Sequence, residues 1–135
     1  MGIKPFVIVL LVFGLCACSP RVSSGPDVEA LGEFVDSTLG PHTFAHTKAV
    51  LRLTERGCIG CNRSLAALME AQIADSSIVL VLDASGQSVD ISPFQESKGR
   101  VIYDHEGRMA TMGFPHGSCD IFLKADGIDT IVQIE

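Results

Sequence analysis

The run Ile78-Val79-Leu80-Val81-Leu82 constrains the fold more than any other feature. It is a continuous apolar, largely β-branched stretch closed by Asp83, the pattern of a strand buried on both faces, as in a parallel sheet. A parallel strand needs a crossover connection, and the preceding segment supplies one. Ala49-Val50-Leu51-Arg52-Leu53 reads as a short strand. Leu65, Leu68, Met69 and Ile73 then recur at helical spacing, so a helix is expected from about 59 to 74, stopping at Asp75-Ser76-Ser77. Strand, helix, strand in that order implies a right-handed crossover. At the strand-to-helix junction stand Cys58-Ile59-Gly60-Cys61. There the free amides and positive dipole end of the helix stabilise a thiolate and lower a cysteine pKa.

The remaining pattern surrounds this unit. Asp27 offers a helix N-cap, and Val28, Leu31, Val35 and Leu39 keep helical spacing as far as Gly40-Pro41. Ser92-Pro93 opens a short helix or loop, Val101-Ile102-Tyr103 is a brief strand, and Asp104-His105-Glu106-Gly107 is a turn before helical residues 108–114. Asp120 to Lys124 and Ile128 to Ile134, joined by Ala125-Asp126-Gly127, form an antiparallel hairpin. His42 and His46 follow Pro41 in a loop and read as solvated, as does His105 in its turn.

The first residues bear on the compartment. Lys4 precedes Phe6 to Phe13, an apolar stretch too short for a permanent membrane span and typical of a signal peptide. Leu15-Cys16-Ala17-Cys18-Ser19 resembles a bacterial lipobox, with Cys16 an unusual residue at its second position. Residues 1–17 are therefore expected to be a lipoprotein signal peptide and 18–26 a tether lipidated at Cys18, leaving 27–135 as one domain. The protein is expected to be exported and held on a membrane, facing the periplasm or cell exterior. The alternative is an uncleaved N-terminal anchor. The 135 residues carry a formal net charge of −6 and no basic cluster, which argues against a nucleic-acid partner. Tryptophan is absent, so aromatic platforms for sugars or bases are not expected.

Export sharpens the cysteine count. With Cys16 removed and Cys18 lipidated, Cys58, Cys61 and Cys119 remain, an odd number that suggests a pair plus one further thiol. An oxidising compartment favours a disulfide in the close pair. As a staple it would be weak: closing so short a loop removes roughly 2 kcal/mol of unfolded-state entropy, against about 3 kcal/mol for a fifteen-residue loop. Cys119 reads either as a buried small hydrophobe or as an auxiliary redox thiol.

With the Cys-x-x-Cys at the start of a crossover helix and a terminal hairpin, residues 46–135 resemble the thioredoxin-like superfamily. The stretch Val101 to Ala110 and the hairpin Phe122 to Gly127 look like its TlpA-like and peroxiredoxin-like branch. The resemblance implies an α/β, three-layer thioredoxin-like fold, with a mixed sheet built on a parallel βαβ unit and a C-terminal antiparallel hairpin. Three departures stand out. The family carries a cis-proline before the hairpin, where this chain has Ser118, with Pro115 the nearby proline and His116 and Gly117 between. The family buries an acid in the strand before the motif, where this chain has Arg52 and, nearer the motif, Glu55. The family usually ends in a helix, so the helix near 28–39 is expected to cover a sheet face instead. Peroxidase chemistry fits poorly, since Glu55 stands where that subfamily has threonine.

The resemblance implies a thiol-disulfide oxidoreductase, a protein-disulfide reductase or its reverse, acting without a cofactor on disulfide- or thiol-containing proteins or a redox partner. Cys58 would be the nucleophile and the more exposed sulfur, Cys61 the resolving one, and Pro115, His116 and Ser118 the substrate loop. Gly60 would let the turn pack tightly, and Arg56 would add positive potential. Cys119 is placed by the same alignment in the loop facing the pair. Two alternatives use the same residues: a zinc- or copper-binding module built from Cys58, Cys61, Cys119 and His116, or a degenerate binding module with the pair locked. A haem attachment site is disfavoured, because Asn62 stands where histidine is needed.

Overall fold

The computed structural model describes residues 25–97 and 100–135; the signal stretch, Cys18 and most of the tether lie outside them. Its centre is a five-stranded mixed sheet in the order β3-β2-β1-β4-β5. The strands are β1 (Ala49–Thr54), β2 (Ile78–Asp83), β3 (Val101–Tyr103), β4 (Cys119–Lys124) and β5 (Gly127–Gln133). β1 pairs in parallel with β2, and β2 with β3, while β4 runs antiparallel to both β1 and β5.

β1 lies between β2 and β4, and every one of its residues is buried. Side chains alternate between the two sheet faces, which sorts the core into two clusters. On one face Leu51 and Leu53 of β1 and Leu80 and Leu82 of β2 pack under Leu65, Ala66 and Met69 of helix α2 (Ile59–Ala71), with Phe94 of the short α3 (Ser92–Gln95). On the other, Val50, Val79, Val81, Ile102 and Ile121 pack under Leu31, Phe34 and Val35 of helix α1 (Val28–Leu39), with Met109 of α4 (Arg108–Thr111). Burying each large aliphatic side chain stabilises the fold by about 2 kcal/mol, so α2 is held by its apolar stripe rather than by helix propensity.

Local chemistry fixes the element ends. The Asp27 carboxylate accepts the Ala30 amide at 2.9 Å and caps α1. Buried Asp104 accepts the amides of Arg108 (2.8 Å) and Met109 (3.0 Å), so the Asp-x-x-Gly turn is an N-terminal cap for α4. The Arg108 guanidinium lies over the Phe34 ring at 4.5 Å, tying α4 to α1. The expected helix at 28–39 does cover a sheet face, the one opposite α2. No described helix is long and apolar enough to cross a membrane.

Candidate functional site

The chain leaves the C-terminal end of β1 and enters α2 through residues 55–58. Gly57 makes the turn with φ +83°, a conformation that a side chain disfavours. Cys58 is the N-cap of α2, and its Sγ accepts the Cys61 amide at 3.1 Å. The two cysteines form a disulfide across a Cα–Cα separation of 5.2 Å. Cys58 is exposed and Cys61 half-buried, the order expected for an attacking and a resolving sulfur. Gly60 has a different place from the one expected: a Cβ there would meet nothing within 4 Å, so close packing does not require glycine. Gly57 is the glycine that the turn depends on.

A groove of about 370 Å³ opens beside Cys58, walled by Arg56 and Gly57 on one side, His116, Gly117 and Ser118 on another, and residues 133–135 on the third. His116 is exposed on its rim. Ser118 is buried and works as a clamp. Its Oγ accepts the Thr54 amide at 2.9 Å and donates to Asn62 Oδ1 at 2.7 Å. Asn62 Nδ2 in turn donates to the Arg56 carbonyl at 2.9 Å. One buried amide thus joins the turn before the motif, the first turn of α2 and the loop before β4. No local sequence pattern marks Asn62 for this role, because its partner Ser118 lies 56 residues away.

Arg52 holds the same loop from below. It is 1% exposed, yet its guanidinium has partners: Nη1 donates to the Pro115 carbonyl and lies 3.5 Å from that of Gly117, while Nη2 pairs with Asp83 at 3.3 Å. Burying a guanidinium requires such compensation. Among the described residues all peptide bonds are trans, Pro115 included, and Ser118 directly precedes β4. Glu55 does not serve the cysteines. Its carboxylate turns to the loop after β2, accepting the Ser85 amide and hydroxyl at 2.8 and 2.7 Å and the Ser88 amide at 2.9 Å. Those bonds, led by the Ser88 and Ser85 amides, lower its pKa to about 2.

Cys119 is not beside the pair. It is the first residue of β4, fully buried with Val50, Val81 and Ile121 on the face opposite α2. Burial raises its thiol pKa to about 11, against the opposing influence of Arg52. Cys58, Cys61, Cys119 and His116 therefore do not converge. Among the described residues no three or more of His, Cys, Asp and Glu are grouped to hold a metal. His42 and His46 are exposed, the first before a 3-10 turn and the second its last residue, and His105 stacks its ring on Tyr103 at 5.8 Å between centroids. A larger concavity of about 640 Å³ lies at the other end of the sheet, by Phe44, Lys48 and Lys124, and contains no cysteine.

The chain matches no family model, no curated protein and no solved structure. What the site can do is read from its atoms: an exposed sulfur at a helix N-terminus, a second sulfur within bonding reach, and a groove alongside.

Proposed function

We propose that the protein is a thioredoxin-like thiol-disulfide oxidoreductase that works outside the cytoplasm. The observation that carries the reading is the exposed Cys58 at the α2 N-cap, disulfide-bonded to half-buried Cys61 beside an open groove. The strand order and the hairpin after the groove loop support the thioredoxin-like assignment.

In the reducing direction the Cys58 thiolate attacks one sulfur of a substrate disulfide. A Cys58–substrate disulfide forms and the other substrate sulfur leaves as thiolate. The Cys61 thiolate then attacks Cys58 Sγ and releases the second substrate thiolate. The pair ends as a disulfide, and two electrons have passed to the substrate. Run backwards, the same steps oxidise a substrate dithiol. The helix N-terminus stabilises the Cys58 thiolate, which is the attacking group in the reducing direction and the last leaving group in the reverse. No cofactor enters any step.

The substrate is a protein or redox partner bearing a thiol pair or disulfide, bound in the groove where His116, Gly117 and Ser118 form one wall, with Pro115 preceding them in the same loop. Attachment through lipid on Cys18 would place the site at a membrane surface. The test is exchange with oxidised glutathione after pre-reduction. The reduced wild-type protein is oxidised to the Cys58–Cys61 disulfide with release of two glutathione thiols, and Cys58→Ser does not react in this way; exchange by Cys58→Ser at the wild-type rate would sink the assignment. For the anchor, Cys18→Ala is expected to abolish incorporation of labelled fatty acid.

A further inference from the structure

We infer that residues 133–135 form a gate over Cys61, shielding the resolving sulfur while leaving Cys58 open, an inference that rests on the thiol-exchange reading above. Three contacts build the gate. The Ile134 amide donates to the Ser118 carbonyl at 2.9 Å just past the end of β5. The Ile134 side chain packs against the core cluster beneath α2. Together they bring the main-chain oxygen of Glu135 to 2.8 Å from Cys61 Sγ.

The consequence is an asymmetry between the two sulfurs. Cys58 Sγ faces the groove and accepts the Cys61 amide. Cys61 has its own helix on one side and the arm on the other. In the disulfide this second contact is sulfur against oxygen. Once the pair is reduced, the Cys61 thiol has a proton to donate to that oxygen, which favours its neutral form. An outside disulfide therefore meets exposed Cys58 first, and half-buried Cys61 is the less accessible sulfur. The arm also forms one wall of the groove, so a bound substrate strand touches the gate and the attacking sulfur together. Opening the gate frees Cys61 to resolve the mixed disulfide.

The gate can be tested apart from turnover. In full-length reduced Cys58→Ser protein, alkylation of Cys61 by iodoacetamide is followed by peptide mass spectrometry, with Cys119 as an internal reference. Ile134→Gly keeps the amide and removes the packing; Ile134→Pro removes the amide. Each is expected to speed Cys61 labelling several-fold by uncovering the sulfur, while Cys119 labelling stays unchanged. The conservative Ile134→Val is expected to label at the parent rate. Circular dichroism confirms folding of each variant, and either substitution alone is sufficient if the other unfolds. Unchanged Cys61 labelling in a folded variant overturns the gate. The two readings separate cleanly. Glutathione exchange without released labelling removes the gate and keeps the oxidoreductase, whereas released labelling without exchange does the reverse.

Discussion

Two cysteine environments lie at the same end of one sheet and differ in every property that sets thiol chemistry. Cys58 is exposed at the N-terminus of a thirteen-residue helix, where unpaired amides and the helix dipole favour an anion. Cys119 is fully buried in β4 on the other face, among aliphatic side chains, with its thiol pKa pushed up to about 11. Burial makes one sulfur part of the core, and exposure leaves the other accessible to reagents. Residue type and distance along the chain do not distinguish them; the side of the sheet does.

The sharpest way to break this comparison is competitive labelling of the reduced protein at pH 7. Raising a thiol from 9.0 to about 11 lowers its thiolate fraction about a hundredfold, before burial restricts access further. Cys58 is therefore expected to alkylate at least about a hundred times faster than Cys119. Comparable rates would mean that Cys119 is not the core residue described here. The same chemistry predicts that Cys119→Ala leaves glutathione exchange unchanged.

Arg52 is the residue that links the two environments. It pairs with Cys119 across the β1–β4 ladder and reaches the Pro115 carbonyl of the groove loop. Arg52→Ala strands the Pro115 and Gly117 carbonyls and leaves Asp83 without its cation. We expect a loss of about 3 kcal/mol in denaturant unfolding, the range for breaking a buried ion pair, softened because Asp83 keeps some solvent. A loss under about 0.5 kcal/mol would show that the guanidinium is not needed to hold the loop. Asn62→Ala comes next. It removes the acceptor of the Ser118 hydroxyl, whose Oγ keeps the Thr54 amide, and the donor to the Arg56 carbonyl, and should cost about 2 kcal/mol. It should also slow exchange, since the clamp positions the loop beside Cys58.

Much of this arrangement was legible in the sequence because it rests on periodicity. The apolar run at 78–82, the helical spacing of Leu65 and Met69, and the hairpin around Gly127 correspond to β2, α2 and the β4–β5 turn. The place of Cys58 at a helix start was legible for the same reason. The face occupied by Cys119 was not. Alternation puts it with Ile121, but nothing within β4 says which face α2 covers. Arg52 read as a departure from an acid, since its partners lie 31 and 63 residues away. The clamp through Asn62 and the arm over Cys61 are also long-range pairings, and no local pattern announces them. Gly57 was readable in principle, because a glycine directly before a helix cap is a turn signal.

Glu55 gives the smallest expected effect and the most specific pH signature. The amides of Ser88 and Ser85 lead in holding its carboxyl near pKa 2, below the ordinary value of 4.5. A group depressed in the folded state adds stability above its unfolded pKa and loses it as pH falls toward the folded one. The contribution of Glu55 is thus complete above about pH 5 and disappears between about pH 4.5 and 2. Glu55→Gln should lower stability modestly at pH 7 and converge with the wild type in acid. Because the carboxylate organises the loop at 85–89 and does not touch either sulfur, Cys58 labelling at pH 7 should not change. A Glu55→Gln protein with an altered Cys58 rate would show that this carboxylate couples to the thiol pair after all.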